Sequence, residues 1–140
     1  MGLNWAEDLS VENEMIDSEH KNLIVVVNSV EHAIKTHDHA AVSKGFDLLE
    51  AYMHIHFRNE ERLAAAANIA FTQIKDEHLH LLKEMRHMRE ELEARNGIWP
   101  DELVKKYSSF LSGWMKGHIL TDDMQLKPVL QTYSYDFKPD

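Results

Sequence analysis

The sequence predicts an all-α protein: an up-down-up-down antiparallel four-helix bundle with an N-terminal arm and a short C-terminal extension. Three observations predict it. Apolar residues recur three or four apart through four long stretches, the period of an amphipathic helix. Glycine and proline are scarce, 5 and 3 in 140 residues, which disfavours a turn-rich β architecture. The breaks between the stretches are short, and short connections make neighbouring helices antiparallel. The length of 140 residues suits a single domain over 1–140, and 44% hydrophobic residues supply its core.

Residues 1–16, with Trp5, Val11 and Ile16, read as an arm lying on the bundle. Asp17 and Ser18 are placed to cap a first helix over about 17–36, with apolar positions at Leu23, Ile24, Val27, Val30 and Ile34. The polar THDH at 36–39 is a connection in which Asp38 is a candidate N-cap. A second helix over about 39–67 carries Val42, Phe46, Leu49, Met53, His56 and Leu63, and Gly45 within it lowers propensity without breaking it. A third over about 72–96 has Ile74, Leu81, Met85, Met88 and Leu92 on its apolar face and ends at Asn96-Gly97, a helix-stop signal. Pro100 followed by Asp101 and Glu102 opens a fourth over about 100–121, with Leu103, Tyr107, Phe110, Leu111, Trp114 and His118. The tail over 127–140 has Pro128, Pro139 and three aromatics, and reads as an extended segment.

Composition excludes several function classes. The net charge of −9 argues against nucleic acid and anionic membrane as partners. With no cysteine there is no disulfide framework, thiolate metal site or cysteine nucleophile. No apolar run approaches the roughly 20 residues of a membrane span. The opening MGLNWAEDLS lacks the basic stretch of a signal peptide, so a cytoplasmic location is expected. Neither G-x-S-x-G nor a Gly-rich loop is present, which removes nucleophilic-triad and phosphate-loop chemistry.

The chemistry lies in the histidines and carboxylates. His56 and Glu60 stand at i and i+4 in H-F-R-N-E, so they project from one helix face. His118 is followed by Asp122 and Asp123, His20 opens the first helical run and His78 lies in the third. Imidazole and carboxylate together are a ligand set for iron, manganese or zinc. Contributed by four helices, they place a metal or metal pair in the bundle core. A single H-x-x-x-E is weak, since many helices contain one as a surface pair. On an ideal helix Asp122 shares the face of His118, whereas Asp123 lies about 140° further round. His32, His37, His39, His54, His80 and His87 are expected to be exposed, and the seven methionines to fill gaps in the core.

Taken in order, these elements resemble the hemerythrin family, in particular its single-domain bacterial members, over roughly residues 5–130. Trp5 with SVENEMIDSEHKNL, HFRNEE at 56–61, DEHLHLL at 76–82 and WMKGHILTDD at 114–123 carry the resemblance. It implies a four-helix bundle holding two iron ions, bridged by one Glu, one Asp and an oxo or hydroxo group. Dioxygen would bind at one iron, for carriage, storage or sensing. Carried over by position, His20 and His56 ligate the iron that binds dioxygen, and His78 and His118 ligate the other. Glu60 and Asp123 are the bridges, because the last element of the family is H-x-x-x-x-D, which selects Asp123 over Asp122. Leu23, Ile24, Phe57, Trp114 and Ile119 stand beside these ligands or one turn away and are expected to line a dry dioxygen pocket.

The chain departs from the family pattern at one ligand. Its H-x-x-x-H requires a histidine four residues before His78, and Ile74 stands there. Neither Gln73 nor Glu77 lies on the same face. The second iron then has two histidines instead of three, with an open coordination position. The main expectation is a dioxygen-binding protein that is not an enzyme, monomeric or weakly oligomeric. The alternatives are a redox or oxygen sensor with a separate protein partner, an oxidase- or peroxidase-like site, and a partly metallated interaction module.

Overall fold

Asn13, and not Asp17, starts the first long helix. The computed structural model describes residues 4–70, 72–118 and 123–139, the side chains of 72–74 excepted. Helix α1 is Glu14–Lys35, and the Asn13 side chain accepts the Ile16 amide at 3.2 Å, which satisfies one of the orphan donors of the first turn. Asp17, expected as a cap, lies one turn inside and is buried. It fastens the arm: Oδ2 accepts from Ser10 Oγ at 2.6 Å and Oδ1 from the Val11 amide at 2.9 Å.

Helix α2 is His39–Ala66, and Asp38 caps it by accepting the Ala41 amide at 3.1 Å. Helix α3 is Thr72–Ala94. Beyond it Asn96 and Gly97 take φ of 50° and 85°, the left-handed turn that the sequence signal requires. Helix α4, Asp101–Gly117, starts after Pro100 without a side-chain cap; Asp101 and Glu102 instead face the positive end of its dipole. The expected fourth-helix end near 121 lies outside the described residues. The tail is not extended. A 3-10 turn, Asp123–Leu126, leads into a short helix α5, Lys127–Leu130. The chain then turns back onto α1, where the Glu14 amide donates to Tyr135 O at 2.8 Å and Asn13 Nδ2 donates to Phe137 O at 2.8 Å.

The main core takes side chains from all four long helices. Val27, Val30 and Ile34 meet Val42, Leu49, Met53, Met88, Leu92, Leu111 and Met115, all almost wholly buried. Full burial of each aliphatic side chain stabilises by about 1.5–3 kcal/mol. A smaller core joins the arm, the end of α2 and the tail through Val11, Ile16, Leu63, Ala64, Leu126 and Leu130. Helix α1 packs on α2 and α4, and α2 also packs on α3. Gly45 permits the first of these approaches, because a Cβ there would stand 2.7 Å from Val30 Cγ2. Cross-helix ion pairs line the outside of α2 and α3: Arg86–Glu50 at 2.8 Å and Arg89–Asp47 at 2.6 Å. Such exposed pairs contribute about 0–1 kcal/mol each. Among the described residues there is no strand, and no helix is long and apolar enough to cross a membrane.

Candidate metal centre

The polar residues that interrupt the apolar faces converge at the end of the bundle nearest the arm and tail. His20 is four residues before Ile24 on the buried face of α1. His56 and Glu60 continue the buried row of Leu49 and Met53 on α2. His118 follows the last residue of α4, and Asp123 opens the next turn. His20, His56, Glu60, His118 and Asp123 each offer one ligand atom, and these five atoms all lie within 4.8 Å of one another. Each is at most 2% exposed. Burying so many ionisable groups without partners is strongly unfavourable, so the arrangement requires a compensating charge.

Nitrogen and oxygen alternate in the cluster. Asp123 Oδ2 is 2.5 Å from His20 Nε2 and 2.9 Å from His118 Nε2. Glu60 Oε1 is 2.8 Å from His56 Nε2 and 3.4 Å from His118 Nε2. His56 Nε2 and His118 Nε2 approach to 3.2 Å. His78 stands just outside this convergence, with Nε2 at 3.7 Å from Glu60 Oε1. All six predicted site residues are therefore brought together. Asp123 reaches the cluster because α4 has ended before it, so the ideal-helix spacing that favoured Asp122 does not apply. Asp122, Ile119 and the Ile74 side chain lie outside the described residues.

Electrostatics follow from burial. Burial drives the His20 pKa down to about 4, although Asp123 opposes it. Burial also opposes charge on His56, but Glu60, Asp123 and Glu19 outweigh it and hold its pKa well above the usual value. Burial, followed by the charge of Asp123, raises Glu60 to about 7. Burial works against ionised Asp123, yet His118 and its other neighbours hold it well below the usual range. Neither Glu60 oxygen, nor Asp123 Oδ1, has a hydrogen-bond partner among the described residues. Buried carboxylate oxygens without donors, facing imidazole nitrogens, fit a first-row divalent or trivalent metal.

The surroundings include residues the sequence did not disclose. Glu19 Oε1 accepts from His56 Nδ1 at 2.7 Å, and Glu19 Oε2 accepts from Asn59 Nδ2 at 2.5 Å. No spacing signals this contact, because 37 residues separate the partners. Of the five pocket residues expected, Leu23, Ile24, Phe57 and Trp114 are buried. Phe57 stacks on His78, with ring centroids 3.7 Å apart and planes 6° apart, and Trp114 stacks on His118 at 5.9 Å. Of the histidines expected to be exposed, His39 is half-buried, and Nε2 has no hydrogen-bond partner among the described residues. It packs where the connection from α3 crosses, with its Cβ facing Gly97.

Comparisons with known proteins agree with this arrangement. The family model for the hemerythrin HHE cation binding domain matches residues 11–130. The chain is 30% identical over 122 residues to a bacteriohemerythrin of Pseudomonas aeruginosa (strain LESB58), covering 86% of this chain and 76% of that protein. It is 31% identical over 122 residues to a bacteriohemerythrin of Stenotrophomonas maltophilia (strain R551-3), with the same coverage.

Proposed function

The chain belongs to the hemerythrin family, and from that premise we propose that it is a non-haem di-iron protein that binds dioxygen, for carriage, storage or sensing. It acts without catalytic turnover, in the cytoplasm, on the frame of an up-down-up-down antiparallel bundle. Glu19–His56 with Val30–Gly45, and Glu50–Arg86 with Glu61–Lys75, support that topology, since one number falls as the other rises. In this reading His20 and His56 hold one iron, His78 and His118 hold the other, and Glu60 and Asp123 bridge them. The observation that carries it is the convergence of five buried nitrogen and oxygen donors within 4.8 Å.

Iron supplies the binding position for dioxygen and the electrons that retain it; the protein supplies the rest. Glu19 fixes the His56 ring so that Nε2 faces the cluster. Phe57 and Trp114 cover the faces of His78 and His118 and keep water away. Leu23 and Ile24, both buried, add apolar surface beside His20, and Ile119 belongs to the same pocket by position.

A second reading is favoured by the place of His78. It stands outside the five-atom convergence, on the helix where Ile74 replaces the family histidine. Two irons held unequally, one with an open position, suit a redox or oxygen sensor or an oxidase-like site. Elemental analysis of anaerobically purified protein, with visible spectra before and after air, tests both. About two irons per chain and a reversible charge-transfer band support dioxygen binding. Irreversible oxidation supports the second reading, and an iron content near one or zero overturns the di-iron assignment.

A further inference from the structure

We propose that a cleft between α2 and α3 is an entrance to the buried cluster that admits small, singly charged, weakly hydrated anions. The proposal rests on the metal reading for what lies at its inner end, but not for the binding of the anion at its mouth.

The cleft has a volume of about 260 Å³ and is lined by His54, Phe57, Arg58, Glu61, Lys75, His78, Leu79 and Leu82. Two of the six cluster residues' immediate structures form its floor: the ring of His78 and the Phe57 ring stacked on it at 3.7 Å. Clefts between α3 and α4, beside Met88 and Tyr107, and between α1 and α4, beside Glu31 and Ser112, have no cluster residue in their walls. The α2–α3 cleft therefore joins solvent to a candidate ligand that is itself only 2% exposed.

Its charge runs against that of the whole molecule, which is −9. Arg58 is exposed and has no ion pair among the described residues. Lys75 is 62% exposed and reaches Glu61 only at 3.7 Å. Glu61 is the lone carboxylate of the lining. It sits between the rim and the floor, with its other oxygen 3.6 Å from His78 Nδ1. Both distances are longer than a hydrogen bond, so an anion can compete for the same cations. Leu79 and Leu82 supply apolar walls, and Leu79 is 57% exposed.

These features select a class of ligand. A guanidinium is more weakly hydrated than an ammonium and releases its water readily. Apolar walls penalise ions that hold water tightly, because no wall atom replaces the lost hydration. Azide and thiocyanate fit this chemistry, whereas sulfate and phosphate do not.

The test uses the full chain with and without iron. In the metal-free protein, thiocyanate is titrated and backbone amide shifts are followed. Shifts confined to the cleft, at His54, Arg58, Leu79 and Leu82, with little response to sulfate, are expected. Absence of shifts there, or an equal response to sulfate, overturns the proposal whether or not the protein holds iron. In the iron-loaded protein, the azide association rate is measured. Arg58→Glu is expected to slow it about threefold to tenfold and Glu61→Gln to speed it, both effects fading at high salt. Nitric oxide, being neutral, should associate at an unchanged rate. Opposite signs exclude a general loss of structure, since misfolding moves both variants the same way. An unchanged azide rate in Arg58→Glu, or an equal slowing of nitric oxide, sinks the idea of this cleft as the entrance.

Discussion

Glu19 and His56 form a buried-edge pair in which a carboxylate oxygen accepts the Nδ1 proton of the imidazole at 2.7 Å. Nδ1 carries the proton, because a carboxylate can only accept. Nε2 is thereby left bearing its lone pair toward Glu60 and Asp123, at 2.8 and 3.5 Å. Asn59 holds the second oxygen of Glu19, so the acceptor is itself fixed. Replacing Glu19 with Ala should lower metal affinity about tenfold to a hundredfold. Competition against a chelator of known affinity measures this, and circular dichroism should show unchanged helicity. Unchanged affinity in Glu19→Ala would show that the pair only packs.

Glu60 illustrates a conflict between stability and binding. It is fully buried beside Asp123, and burial with that charge raises it to about 7. Without metal, an ionised Glu60 is therefore unfavourable above neutral pH. Glu60→Gln should stabilise the metal-free protein at pH 8 by about 1–3 kcal/mol while abolishing normal iron loading. Thermal melts with and without iron report both effects, and a lower melting temperature for the metal-free variant contradicts the argument.

Ile74 is the one departure from the family ligand pattern. Ile74→His restores a histidine four residues before His78. Iron retained after chelator challenge should then rise at the second position, by about tenfold or more in affinity. Elemental analysis after dialysis decides the matter, and no gain would mean that another group already fills the position.

Close packing of α1 on α2 depends on Gly45. Alanine there gains about 1 kcal/mol of helix propensity, but its Cβ would stand 2.7 Å from Val30 Cγ2. Val30 is wholly buried and β-branched, so its side chain has little freedom to yield. Gly45→Ala should be destabilising, by about 1–2 kcal/mol in urea unfolding. Val30→Ala in the same chain should recover part of the loss, and equal losses from the two changes added together would contradict a steric cause.

The tail is held by a titratable contact. Tyr135 OH donates to Asp17 Oδ2 at 3.1 Å, and burial and the Asp17 charge push the Tyr135 pKa up to about 12 from its ordinary 10.0. The folded state thus favours the neutral phenol. The contribution is fully present below pH 10 and is lost as pH rises toward 12. Tail amides should gain hydrogen exchange in that window, more than α1 amides do. Tyr135→Phe should remove the pH dependence, and its persistence would assign it to another group.

The fold was legible in the sequence wherever the period was long. The rows through Leu23, Val27, Val30 and Ile34, and through Phe46, Leu49 and Met53, are the core rows of α1 and α2. Asp38 and Asn96-Gly97 end their helices as their chemistry requires. The tail was misjudged as extended because its two prolines and aromatics carry no period. What folds it is the burial of Leu126 and Leu130 against Val11 and Leu63. Asp17 was misjudged as a cap because an aspartate before an apolar run satisfies the local rule. Its actual partners, Ser10, Val11 and Tyr135, include one 118 residues away.

By itself the sequence determined which residues could serve as donors. Side-chain chemistry and helical period fix His20, His56, Glu60, His78, His118 and Asp123 as polar groups on apolar faces. Tertiary structure alone decided that five of them meet within 4.8 Å while His78 stands just outside. It also decided that Asp123 turns inward once α4 has ended, and that Glu19 orients His56 from another helix. The reason is physical. A helix sets the spacing of its own side chains over a few turns, but contacts between helices depend on packing distances, such as the approach that Gly45 permits. Those distances are properties of the assembled core and of no single segment.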